Sequence, residues 1–292
     1  MAKRSSFQGT KINPSRFHRS QIKFYCFLIP IAMLFVFPLF MTFNNAFKPV
    51  DEANRFPPTI VVERPTLDNF RFFWGLTGQV GVPASRFLVN TIMVTAVTIF
   101  FTVIITAMTG YCFSKKKFRL NNVMWTINRA AILFIPVAVE IPRYIIIMNM
   151  GIENTFWAHI IPGLATPVGL FMVKQFIDQI PDSLIEAARI DGAGELRIMW
   201  NIVFPLIQPA LATIVVLTFQ GACGATEASN RFVDSETLRT FAFFMGNIPT
   251  GGNPVYANVG AALTIVMLVP NLIIFLFLQS KVMNTMAHSG IK

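Results

Sequence analysis

The chain has 292 residues, of which 54% are hydrophobic and only 13% charged, with 30 Phe and a net charge of +10. A soluble domain carries about a quarter of charged residues, so this balance excludes a soluble globule and describes a polytopic membrane protein. The basic residues are not interleaved with aromatics over one face, which also excludes a nucleic-acid-binding domain. The expected fold class is all-α, a transmembrane helical bundle of six spans, each of about 20 apolar residues to cross a hydrocarbon core about 30 Å thick.

In chain order, residues 1–23 form a basic tail carrying Lys3, Arg4, Lys11, Arg16, Arg19 and Lys23 and no acid. The first span runs from Phe24 to Phe47; its apolar run is too long for a signal peptide and lacks a small-residue cleavage site, so it is a retained helix. The loop 48–85 is the largest extramembrane segment, with turns at Pro57-Pro58 and Pro65. The second span, Arg86 to Phe113, ends on Lys115, Lys116, Lys117 and Arg119. The third, Val123 to Met148, contains Pro136 and Pro142, each expected to remove a backbone hydrogen bond and bend the helix. Such breaks are tolerated in membranes where protein or a watery cavity satisfies the freed groups, so this helix is expected to line the interior. The fourth span is Phe156 to Gln175 and the fifth Leu206 to Gly224, with the polar stretch 176–205 between them. A loop from Ala225 to Ala257, punctuated by Pro249, Gly251, Gly252 and Pro254, leads to the sixth span, Asn258 to Ser280, and a tail, 281–292.

Fifteen Lys and Arg residues fall on the side that holds both termini, Lys174, Arg189, Arg197, Lys281 and Lys292 among them, and seven on the other side. Basic loops mark the cytoplasm, so both termini and the stretch 176–205 are expected there.

Charges inside spans are costly and usually face an interior or a pathway. Arg129, Glu140 and Arg143 all lie in the third span. Glu140 and Arg143, one turn apart, read either as an internal ion pair orienting a kinked helix or as part of a positive path for an anionic solute, since guanidinium forks match carboxylates. Tyr144, Phe156, Trp157, Phe219 and Tyr256 are available to stack on the rings of a solute, to pack, or to face lipid. The candidate substrate pathway is Arg129, Glu140, Arg143, Tyr144 and Phe219. His159 reads as hydrogen-bonded within the bundle, and Cys26, Cys112 and Cys223 as small buried hydrophobes without disulfide or zinc spacing. No phosphate-binding lysine loop, nucleophile elbow or metal-ligand cluster is present, so neither catalysis nor a cofactor bound by this chain is expected.

The stretch 176–205 has a helix-turn-helix pattern of its own. Ser183 and Glu186 have the spacing of a capping box after Pro181-Asp182, which predicts a helix over 183–191. Gly192 and Gly194 supply backbone freedom for a turn. Leu196, Met199, Trp200 and Val203 then follow at i, i+3, i+4 and i+7, an amphipathic second helix, before Pro205 leads into the fifth span. Glu186 and Arg189 are spaced to pair or to reach a partner.

Glu186-Ala187-Ala188, three residues, Gly192, nine residues and Ile202-Val203-Phe204-Pro205 resemble the EAA loop of bacterial ABC importer permeases, with Phe204 where the family has Leu. The resemblance covers about Phe24 to the C-terminus and is to the carbohydrate permeases of the maltose-permease type, smaller-partner branch. Ile180 to Leu184, Ala188 to Ala193 and the Leu67-Asp68-Asn69-Phe70 stretch before the second span support it. The ending Met286 to Lys292 looks like the subgroup importing oligosaccharides from complex polysaccharides, alginate or other uronates among them. One departure is the end of the fifth span, where many relatives have a Trp-Asn pair and this chain reads Phe219-Gln220-Gly221-Ala222-Cys223-Gly224.

The resemblance implies a type I ABC importer permease fold in the bacterial inner membrane. It implies a homologous permease as heterodimer partner, two ATP-binding subunits that use ATP and Mg, an extracytoplasmic solute-binding protein, an oligosaccharide cargo and surrounding lipid. By it, Glu186, Ala187, Ala188, Asp191 and Gly192 couple to the ATPases. The alternative from another class is a secondary transporter or channel built around the broken third helix, which would call for more spans or an inverted repeat.

Overall fold

The computed structural model describes residues 22–56, 59–76, 81–248 and 254–289. The basic tail up to residue 21, the Pro57-Pro58 turn, Pro249, Gly251, Gly252 and the last residues of the C-terminal motif, 290–292, lie outside them. The described residues are mostly helical, without a β-strand, and divide into two units.

The first unit holds the described residues of Met1–Phe70 and Thr250–Ile265. Its helix α1 (Ile22–Phe47) contains Pro30 and Pro38 and exposes large apolar side chains along its length, Phe27, Met33, Leu34 and Phe35 among them. That is ruinous in water and correct in lipid, where hydrocarbon takes the place of a protein core. The short α2 (Val50–Ala53) follows, then a loop folded around Glu52, which is 1% exposed. Glu52 accepts from Thr59 Oγ1 at 2.9 Å and from the Glu63 amide at 3.1 Å. Burial pushes this carboxyl up, but those bonds and the Lys48 charge outweigh it and hold the group below the usual range. The last carbonyls of a helix have no internal partner; at α1 they are met by Asn69 Nδ2, which donates to Ala46 O at 2.8 Å and Lys48 O at 2.9 Å. Phe70 lies against Phe47 with centroids 5.3 Å apart. The Leu67 to Phe70 stretch is thus a cap for the first span. It opens α3 (Asp68–Gly75).

The second unit holds the described residues of Arg71–Pro249 and Val266–Lys292. Its central helix, α4 (Ala84–Lys115), has 32 residues. The third span is α5 (Asn121–Ile132), a 3₁₀ turn (Pro136–Val139) and α6 (Glu140–Asn149), with a 117° bend. Pro136 opens the 3₁₀ turn, as a break requires. Pro142 breaks nothing: it sits in the first turn of α6, where an amide has no intrahelical partner to lose. Little of this span is buried, no residue of α5 and only Ile147 of α6, and its part in the interior is confined to α6. The fourth span, α7 (Trp157–Leu164) and α8 (Pro167–Asp178), bends by 44° just before Pro167. The polar stretch gives α9 (Asp182–Ile190), α10 (Glu195–Ile198), a π turn (Met199–Val203) and α11 (Phe204–Leu206). The fifth span, α12 (Gln208–Gly224), leads to α13 (Glu227–Arg231) and α14 (Phe241–Gly246); α15 (Pro254–Ser289) carries the sixth. Among the described residues four helices are long and apolar enough to cross a membrane, and up to six spans result if each bent pair is one.

α4 packs against α7, α8, α12 and α14. Its buried face carries Thr91, Thr95, Thr98, Thr102 and Thr106, spaced by three and four. Without a hydrophobic drive between helices in lipid, small side chains that allow close approach make such seams. Gly110 completes this one, since a Cβ there would lie 2.7 Å from Val173 Cγ1. Cys223 is buried as expected, whereas Cys26 and Cys112 are exposed; a thiol on an apolar helix surface needs no protein cover in lipid.

Candidate functional sites: a braced loop and a polar cavity

The loop between α8 and α12 sits on a core made by Ala107 and Tyr111 of α4, Val173 and Ile177 of α8, Ile185 of α9, and Ile198, Met199 and Val203 beyond the turn. Helix α9 starts one residue before the expected position, with Pro181 in extended conformation as its N-cap. The Ser183–Glu186 capping box therefore does not form, because Ser183 already lies inside the helix. Its C-terminus is a Schellman turn: the Ala193 amide donates to Ala188 O at 2.9 Å and the Gly192 amide to Arg189 O at 3.0 Å. Gly192 takes φ +79°, the left-handed conformation that disfavours any side chain, whereas Gly194 has φ −70° and needs no such freedom.

Ala188 is half-buried on the core, and Glu186, Ala187, Asp191 and Gly192 face outward. The structure thus brings four of the five motif residues onto one exposed ridge. Glu186 forms no ion pair with Arg189, which turns instead to Glu195. The amphipathic second helix also departs from expectation. The π turn rotates the register, so Ile198, Met199 and Val203 are buried while Leu196 and Trp200 are exposed. Phe204, which replaces the motif Leu, packs on the core and lies 4.9 Å from the Trp200 ring.

Glu195 ties this loop to α4. Tyr111 Oη donates to its Oε2 at 2.7 Å, Lys116 Nζ pairs with its Oε1, and Arg189 Nε reaches Oε1 at 3.1 Å. Lys116 above all, then Tyr111, push the Glu195 carboxyl down to about 2 against the opposing effect of burial. Lys115 makes a second tie, donating to Ile180 O at 2.6 Å and Asp182 Oδ1 at 2.7 Å, and it holds the Asp182 carboxyl below its ordinary range. These latches were missed in the sequence, where Lys115 and Lys116 read only as markers of sidedness. The legible signal was a basic cluster ending one span opposite Asp178, Asp182 and Glu195 in a structured loop.

A cavity of about 410 Å³ opens between α7, α8 and α12, with Arg143, His159, Thr218, Gly221, Glu227 and Phe232 in its wall. Arg143 Nη1 donates to Glu227 Oε2 at 2.7 Å, and Glu140 pairs with Arg231 at 2.8 Å. Of the two readings of Glu140 and Arg143, the internal pair does not form: each α6 charge reaches instead to the opposite charge on α13. Among the described residues two buried atoms here lack a partner, Glu227 Oε1 and His159 Nε2; the backbone of Leu238 lies beside the His159 ring.

Of the five expected pathway residues, Arg143 lines this cavity. Arg129 is exposed on α5 and bonds to Thr126 at 3.3 Å. Tyr144 is largely exposed, its ring 6.1 Å from Phe232. Phe219 lines a separate, apolar cavity of about 290 Å³ with Thr91, Cys223 and Phe241. The charge partner Glu227 was missed because it lies outside the apolar spans. Among the described residues no cluster of His, Cys, Asp and Glu is placed to hold a metal.

Residues 27–280 match the family model described as the binding-protein-dependent transport system inner membrane component. The chain is 28% identical over 275 residues to a sn-glycerol-3-phosphate transport system permease protein of Yersinia pestis, covering 90% of this chain and 95% of that one. It is 27% identical over 272 residues to an arabinooligosaccharides transport system permease protein of Halalkalibacterium halodurans, covering 90% and 93%. The fold matches a chain in the crystal structure of a bacterial ABC transporter that imports the acidic polysaccharide alginate. There the TM-score is 0.78 at 19% identity, with 91% of this chain and 99% of that chain covered.

Proposed function

The chain belongs to the binding-protein-dependent transport system inner membrane components, and from that premise we propose that it is the permease subunit of an ATP-driven oligosaccharide importer. It forms half of the pathway beside a homologous permease, takes cargo from a solute-binding protein, and is driven by two ATPase subunits that hold the ATP and Mg. Both termini and the loop after α8 face the cytoplasm, on the strength of the fifteen basic residues on that side against seven.

The observation that carries this reading is the braced loop. Its underside is buried on α4 and α8, while Glu186, Ala187, Asp191 and Gly192, with the apolar Ile190, Leu196 and Trp200, are exposed. A rigid element with an exposed apolar and acidic top is what a nucleotide-driven subunit needs to push on. The test is purification of the transporter from its native membrane and reconstitution with its binding protein. Two ATPase subunits are expected to co-purify, and oligosaccharide uptake is expected to require ATP. Purification without an ATPase, or uptake indifferent to ATP, contradicts the reading and would revive the secondary-transporter alternative.

Within the oligosaccharides, uronate oligomers are the finer proposal. Arg143 lines the cavity, and the structural neighbour moves an acidic polysaccharide. On this reading Arg143→Ala impairs uptake of uronate oligomers more than of neutral ones, and equal loss for both refutes the acidic preference.

A further inference from the structure

We propose that this chain holds a recognition subsite of its own for a hydroxylated acid, one uronate unit of the cargo, in the cavity walled by Arg143, His159, Gly221 and Glu227. The inference rests on the importer reading and adds the place where this subunit touches cargo.

Two buried acceptors face no donor. Glu227 Oε1 has no hydrogen-bond partner among the described residues although Oε2 of the same carboxylate holds Arg143 at 2.7 Å. His159 Nε2 is equally unpartnered among the described residues, and the Leu238 backbone lies beside its ring. A neutral imidazole that donates through one nitrogen to a carbonyl presents the other as an acceptor. Buried polar atoms without partners are rare and costly, and both residues belong to the wall of a space of about 410 Å³, within the size range of small-molecule sites.

The missing chemistry can be specified. Two acceptors call for two donors, which sugar hydroxyls supply. Arg143 spends one N–H on Glu227 and makes no other hydrogen bond to a described residue, so its guanidinium retains donors for a carboxylate, which it takes as a fork. A neutral sugar would satisfy the acceptors and leave the guanidinium edge unused; a bare anion would do the reverse. Phe232 and Ile214 give an apolar wall for the ring's C–H face, and a Cβ on Gly221 would have no atom within 4 Å, so this side of the cavity is open. The salt bridge fixes donor and acceptor side by side on α6 and α13.

The test is titration calorimetry on the complete transporter in nanodiscs, without binding protein or nucleotide. The probes are a mannuronate trisaccharide and maltotriose. The acid is expected to give saturable heat, Glu227→Gln to weaken both sugars, and Arg143→Gln to weaken the acid by about tenfold while changing the neutral sugar by less than about threefold. Gly221→Leu, which fills open space without displacing a neighbour, is expected to abolish binding of both and keeps the test valid if a charge variant fails to assemble. No saturable heat from wild type, in a preparation that still performs ATP-driven oligosaccharide uptake once binding protein is added, would mean that the cavity holds solvent only. Unchanged binding by Gly221→Leu overturns the proposal equally. Loss of all ATP-driven uptake by wild type would instead strike the importer reading itself.

Discussion

The braced loop and the polar cavity are built from the same residue types but differ in how their polar groups are satisfied. Glu195 on the loop receives Tyr111, Lys116 and Arg189, and the carbonyls at the end of α9 are closed by the Gly192 turn. In the cavity, Glu227 spends one oxygen on Arg143 and leaves the other bare, as His159 leaves Nε2. A loop tied at Glu195, at Asp182 and at the end of α9 is braced and suited to transmit a push. A cavity whose wall keeps acceptors unpaired among the described residues is suited to take up a ligand. In the proposed importer, the contrast separates the part that takes the push from the part that meets the load.

The contrast breaks most visibly at Gly192. Because φ is +79° there, any side chain costs about 1–2 kcal/mol of strain. Gly192→Trp also places a bulky ring on the exposed ridge, so ATP-driven uptake in proteoliposomes should fall by about 30-fold, the loss of a strong interface contact. Uptake within about threefold of wild type would mean that the ridge touches nothing. The support beneath comes next. In Gly110→Leu the new side chain runs into α8, since its Cβ alone would lie 2.7 Å from Val173 Cγ1. Overpacking of this kind costs about 1–3 kcal/mol, read as a lower midpoint of thermal unfolding.

The Glu195 hub gives a smaller and pH-dependent effect. Glu195→Gln should cost about 1 kcal/mol, discounted because the side chain is half-exposed. The folded carboxyl titrates at about 2, below the ordinary value of about 4.3 for Glu, so its contribution is complete above the ordinary value and is lost as pH falls toward 2. The difference in thermal midpoint between wild type and variant should therefore be flat from pH 5 to 8 and shrink below about pH 4. A difference that grows with acid would exclude this hub. The smallest effect belongs to Ser183→Ala, below about 0.5 kcal/mol, the range of ordinary surface changes. A loss of about 1 kcal/mol, usual for a helix cap, would restore the capping box.

Six spans, the loop and its motif were legible in the sequence because length, hydropathy and residue spacing are local properties. The 117° break at the Pro136 turn was half legible, since Pro marks a break but not its angle, and Pro142 misled because its position in a first turn cannot be known before the turn is placed. The π turn over Met199–Val203 was invisible to helical periodicity, which assumes an unbroken register and so assigned Leu196 and Trp200 to the buried face. The Arg143–Glu227 pair joins residues 84 positions apart, beyond any local pattern. The Thr stripe from Thr91 to Thr106, by contrast, had a local signal that went unread, a three-four spacing of small polar residues in an apolar span.

The central claim, that the exposed ridge meets an ATPase, is tested most directly by cross-linking Ala187→Cys in the complete transporter with Cys26, Cys112 and Cys223 replaced. The account predicts an adduct between this chain and an ATP-binding subunit, whose yield changes when ATP is added. Labelling of the introduced thiol by a small soluble reagent, with no such adduct under either condition, would show a ridge that is exposed but undocked, and would contradict it.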